Sequence, residues 1–115
     1  MATRATYKFG SRLGITTVIY NHWDGYPEGA AEHLQGVRTA EDFLRKNENS
    51  EITESHELHG DTEYRYNIEA IKPKNTLGQV TIAAFKRVNF TEKWEQFFYG
   101  TSDEFAAKYL QKGAA

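Results

Sequence analysis

His22, Asp24 and Glu28 stand close together in the stretch Tyr20-Asn21-His22-Trp23-Asp24-Gly25-Tyr26-Pro27-Glu28, and His33, His56, His59 and Asp61 follow. All four histidines of the chain therefore lie between positions 22 and 59. Imidazoles and carboxylates are the groups a hydrolytic zinc or manganese site uses, three as ligands and one position left open. The spacing here argues against such a site. His22 and Asp24 straddle a turn, and in an extended segment His56 and His59 would point to opposite faces. No His-Glu-x-x-His occurs. Metal-free proton transfer could pair His22 with Asp24 or Glu28, but there is no cysteine, and no serine in an elbow motif, to act as nucleophile. Glu28 and Glu32 lie four apart on one helix face, a spacing common among solvated neighbours.

Other chemistries find less support. Gly10-x-x-x-Gly14 lacks the Lys-Ser/Thr of a phosphate loop. Asp24 and Glu28 would repel an anion from the helix start that follows them. Single-stranded nucleic acid would require exposed aromatics on a sheet flanked by Lys72, Lys74, Lys86 and Arg87, whereas Tyr64 and Tyr66 fall on the apolar face, which assigns them to the core. No cofactor motif is present, so no cofactor is expected.

The elements that must position these groups are legible in part. Tyr7 and Phe9 alternate with Thr6 and Lys8, which predicts a strand over 4–9. Residues 10–14 supply a turn, and the β-branched run from Ile15 to Tyr20 predicts a second strand and a hairpin. Asp24-Gly25 breaks the strand. Pro27 suits the first helical position, where its missing N–H costs nothing. Ala30, Leu34, Val37, Phe43 and Leu44 follow near helical spacing. Either one helix runs over 28–46, or it breaks and Thr39 caps a second one with Asp42. A strand at an edge, or partly irregular, is expected over 52–58, between Ile52 and Leu58. Gly60-Asp61 turns the chain. Tyr64, Tyr66, Ile68 and Ala70 then point inward from a half-buried strand. After a loop at 73–78, Val80, Ile82 and Ala84 mark a strand and 94–99 another. Thr101 and Glu104 have the form of a capping box, opening a helix with Phe105, Ala106, Tyr109 and Leu110 as its apolar stripe.

The fold expected is α+β. Five to six strands form an antiparallel sheet with two or three helices on one face, in the order β-β-α-β-β-β-β-α, as a single domain over 1–115. With 14% aromatic residues the chain favours sheet and is not disordered. The absence of cysteine excludes disulfides and thiolate chemistry and suits a reducing compartment. No apolar run is long enough to span a membrane, and none marks a leader, so a cytoplasmic location and no membrane partner are expected. The net charge of −2 favours no partner. Its distribution is uneven, however. Residues 41–69 are strongly acidic, with Glu48, Glu51, Glu54 and Glu57 among the carboxylates, and 71–94 are basic.

At the corner itself, the backbone alone would explain a good deal. Asp24 caps the helix, Gly25 turns, Pro27 starts the helix, and Trp23 and Tyr26 close the gap above the core. That account leaves His22 unexplained. Together with the opening Met-Ala-Thr-Arg and the hairpin, the Tyr-x-His-Trp-Asp-Gly-Tyr-Pro corner resembles a set of small proteins of unknown function encoded by bacteriophages, prophages and bacteria, including cyanobacteria. The resemblance covers the first 30 or so residues. It implies no reaction. It implies a setting in which small accessory proteins bind host proteins, CRISPR and other defence complexes among them. The expected function is thus a non-enzymatic protein-binding module, an anti-CRISPR type of host-defence inhibitor being one form. Its contacts would come from His22, Trp23, Asp24, Tyr26, Glu28, Glu51, Glu54 and Glu57. A small metal-dependent hydrolase or ligand-binding enzyme with its site at 22–28 is the first alternative, and a sheet-based nucleic-acid binder the second. Nucleic acid is the less favoured partner.

Overall fold

The computed structural model describes residues 3–10, 16–48, 50–56, 62–70, 80–88, 91 and 93–114, without the side chains of 70 and 111–114. The elements run β1 (Ala5–Gly10), β2 (Thr16–Asn21), α1 (Pro27–Leu34), α2 (Ala40–Lys46), β3 (Glu51–Thr53), β4 (Tyr64–Ala70), β5 (Val80–Arg87), β6 (Trp94–Thr101) and α3 (Ser102–Ala114). The expected turn at 11–14, Ile15, the end of the 52–58 strand with Leu58, the Gly60-Asp61 turn and the loop at 73–78 lie outside the described residues.

The fold is α+β, but the sheet is mixed and not antiparallel throughout. Its six strands run in the order β3-β2-β1-β4-β5-β6. β1 and β4 are parallel neighbours, with Tyr7 opposite Tyr66 and Phe9 opposite Ile68. The other four pairings are antiparallel. β3 pairs with β2 over three residues only. The chain then leaves the edge, crosses β2 and β1, and joins the sheet again as β4. A parallel pair needs such a crossover, whereas a hairpin would have placed β4 beside β3.

Side chains alternate across the sheet. Ala5, Tyr7, Phe9, Ile19, Tyr66, Ile68, Ile82 and Ala84 face the helices and form the core with Ala30, Leu34, Phe43, Phe105 and Tyr109. Aromatic rings link the layers. Tyr7 stacks on Tyr66 with centroids 5.1 Å apart and meets Phe43 at 4.6 Å. Tyr66 meets Phe105 edge-on at 6.0 Å, and Phe105 packs on Tyr109. Such pairs add about 0.5–1.5 kcal/mol each beyond area burial.

Residues 28–46 form two helices. Thr39 Oγ1 accepts from the Asp42 N–H, so Thr39 caps α2. Lys46 Nζ donates to the carbonyls of Glu32 and Gln35, closing the end of α1. At α3 both capping-box bonds form, Glu104 N–H to Thr101 Oγ1 and Thr101 N–H to Glu104 Oε1. The Asp42 carboxyl is held below its ordinary range, first by the Arg38 N–H and then by Thr39. Any stability it lends is complete above the ordinary carboxylate pKa and is lost as pH falls through the lowered value. Proton titration by NMR should place Asp42 below free aspartate, and Thr39→Ala should move it upward.

Gly29 lies in the first turn of α1, where a Cβ would stand 2.1 Å from the Asp24 carbonyl oxygen. The helix can enter at this angle only because that position is bare. Gly29→Ala should lower the unfolding free energy by about 1–3 kcal/mol, the range for overpacking, measured by denaturant titration with an unchanged m-value.

Candidate functional site

The 20–34 stretch divides into residues that build the corner and residues that project from it. Asn21 is buried, and its Oδ1 accepts the Trp23 N–H at 2.8 Å, which turns the chain off β2. The Gly25 N–H donates to the Thr3 carbonyl at 2.9 Å, and the buried Tyr66 hydroxyl donates to the Gly25 carbonyl at 2.6 Å. A Cβ on Gly25 would come within 2.7 Å of the Ala5 Cβ, so close approach requires glycine here. Pro27 opens α1, and Tyr26 before it is extended, as a residue before proline must be.

The helix entry is not capped as expected. Tyr26 holds the N-cap position with no side-chain cap, and Asp24 does not supply one. Asp24 instead takes a left-handed backbone, φ 52°, and its carboxylate accepts the Tyr26 hydroxyl at 3.3 Å. Aspartate tolerates that conformation better than most residues. Nor do the two aromatics plug the core: Trp23 is 55% exposed and Tyr26 39%. The pressed backbone of Gly25 and the Tyr66 phenol fill that gap instead.

The projecting groups form one acidic, aromatic surface. The Tyr26 phenol is pushed above its ordinary pKa chiefly by Asp24, with desolvation and the charges of Glu28 and Glu32 adding. His22 lies edge-on to Tyr20 and 3.9 Å from Glu51 of β3, which joins the corner to the sheet edge. Ile52 on that edge is 64% exposed. Glu54 is exposed beyond it, and Glu57 lies outside the described residues. Glu32 and Ile52 escaped the sequence reading as site residues. The four-residue spacing of Glu28 and Glu32 was the available signal for the first.

The histidines do not converge. His33 Nε2–H donates to the Trp23 carbonyl at 3.2 Å, steadying the corner from α1. His56 bridges Thr6 Oγ1 at 2.6 Å through Nδ1 and Asn67 Oδ1 at 2.8 Å through Nε2. Thr6 and Asn67 point away from the helices, so His56 pins the β3–β4 crossover to the outer face of β1 and β4. Among the described residues no three His, Asp or Glu side chains form a group that could hold a metal; His59 and Asp61 lie outside them. The basic residues of the nucleic-acid reading also part company. Tyr66 is core, Tyr64 half-buried, and Lys86 is paired with Tyr64 on the helix side. Arg87 donates to the carbonyls of Thr62 and Thr91 and stacks on Trp94. Lys72 and Lys74 lie outside the described residues.

Comparison with family models, with curated proteins and with solved structures finds no match. Among the described residues, no helix is long and apolar enough to cross a membrane. The arrangement at 22–32 offers anchoring rings and negative charge.

The stacked tyrosines give a sharp test of the corner. Both phenols are held above their ordinary pKa by burial, Tyr7 with a further push from Asp24. The Tyr66 hydroxyl has its partner; the fully buried Tyr7 hydroxyl has none among the described residues. Tyr66→Phe should cost about 1–3 kcal/mol, since it strands the Gly25 carbonyl, whereas Tyr7→Phe should be neutral or stabilise by about 1 kcal/mol. Urea unfolding of the two variants side by side checks both signs.

Proposed function

We propose that the chain is a non-enzymatic binding module that docks a basic protein surface through the corner at 22–32 and the adjoining edge of β3. One observation carries the reading. Within Tyr20–Glu32 the residues needed to shape the backbone are Asn21, Gly25, Pro27 and Gly29. The Trp23 and Tyr26 side chains are exposed all the same, and the Tyr26 phenol bonds Asp24 and feels the charges of Glu28 and Glu32. Exposed Trp and Tyr are the residue types that anchor interfaces. Carboxylates around them attract lysine and arginine, hold a cation over a ring face, and speed encounter.

The resemblance to phage and prophage proteins suggests the kind of partner. A host-defence complex of the CRISPR type carries a basic channel for nucleic acid, and an acidic, aromatic knob could occlude it. The site of action would be the cytoplasm, the host's if the protein is phage-encoded. An enzymatic role at the corner finds less support, since His22, His33 and His56 each engage a different partner.

The test is affinity capture from a bacterial lysate beside the Trp23→Ala, Tyr26→Ala variant. A basic partner should be held by the natural chain, held at least about tenfold less by the variant (about 1.4 kcal/mol), and released as salt rises. The variant should unfold within about 0.5 kcal/mol of the parent, as surface changes do. Equal capture by both chains, or one equivalent of metal bound through His22 and Asp24, would refute the proposal.

A further inference from the structure

A cavity of about 420 Å³ opens at the far end of α1, between its last turn, the 35–38 connection and the first turn of α3. Its floor is apolar, made by Leu34, Val37, Ile82 and Phe105. Gln35, Arg38 and Ser102 line it as well, and Gln35 and Arg38 are exposed. Among the described residues Arg38 bonds through its backbone N–H, to Asp42, and Gln35 through its backbone, to Glu32 and Lys46. Gly36, at φ 77°, forms part of the wall, and a Cβ there would meet nothing within 4 Å. One carboxylate, Asp103, shares the rim.

We infer that this cavity binds a small organic anion with a flat apolar body. The volume lies in the range of small-molecule sites, which pair an apolar lining with a few orienting polar groups. Arg38 supplies a planar fork of donors that fits a carboxylate, sulfonate or phosphate head. Gln35 and Ser102 can donate to the same head. Asp24 and Glu28 of the acidic corner lie toward the other end of α1, whereas Glu32 is in its last turn, next in sequence to Ala31 of the lining.

The probe is 8-anilinonaphthalene-1-sulfonate, an aromatic anion, with the uncharged N-phenyl-1-naphthylamine as its control. The folded chain should bind one equivalent of the sulfonate saturably. Amide NMR shifts should be confined to the 34–38 connection and the first turn of α3. Arg38→Glu, an exposed change that leaves the core intact, should weaken the sulfonate at least about tenfold, the scale of one charge-assisted hydrogen bond, and leave the neutral probe unchanged. Ala106→Leu, which narrows the cavity, should weaken both. The inference is overturned if the sulfonate does not saturate by about 1 mM, binds Arg38→Glu as well as the parent, or shifts the amides of Trp23 and Tyr26 instead.

Discussion

The corner depends on a backbone clamp at Gly25. Its N–H is held by Thr3, just ahead of β1, and its carbonyl by a phenol from β4, so one residue ties both segments to the entry of α1. Both bonds are buried or close to it, where an unpaired partner is expensive. The clamp needs three things at once: no side chain at 25, no side chain at 29, and a tyrosine at 66 rather than a phenylalanine. It also explains why β1 and β4 must be neighbours. Only the parallel pairing of Tyr7 with Tyr66 puts the second phenol beneath the corner.

Much of this was legible in the residues, and the failures have physical causes. The strands of 4–9 and 63–70 and the one marked by Val80, Ile82 and Ala84 follow from alternation, whereas the strand of 15–20 follows from its β-branched run, and Val18 to Asn21 are buried on both faces. The Thr39 and Thr101 caps follow from the residues three further on. The mixed topology did not follow. Short apparent turns suggested hairpins, but the link between β3 and β4 is a crossover pinned by His56, and nothing in the spacing of His56 discloses a contact with Thr6, fifty residues away. One clue existed. Glu54 and His56 fall on the face of Ile52, which spoils a long strand and leaves β3 with three residues.

The corner was half legible for the same reason. Gly25 and Pro27 announce a turn and a helix start by their own conformational limits. The role of Asp24 as a cap was inferred from its type and place, and it fails because Gly29 lets the helix turn press on the Asp24 carbonyl instead. That contact sets Asp24 in its left-handed conformation, with the Tyr26 hydroxyl as its partner and the helix N–H groups left to others. A glycine inside a helical pattern signals close packing, but the residue it packs against is a matter of tertiary structure.

The electrostatics of the exposed surface then point in one direction. Negative charge at a helix start is favoured by the helix dipole, which offsets part of the repulsion between Asp24 and Glu28. The benefit fades within the first turn and does not reach Glu32. All three carboxylates nevertheless push the Tyr26 phenol upward, Asp24 most. On the reading proposed above, a lysine or arginine arriving from outside would meet these carboxylates beside the exposed rings of Trp23 and Tyr26. On that same reading, side chains carried by a backbone tied down at Gly25 would lose less conformational freedom on binding than those of an untethered loop, and the clamp beneath the corner bears on what projects above it.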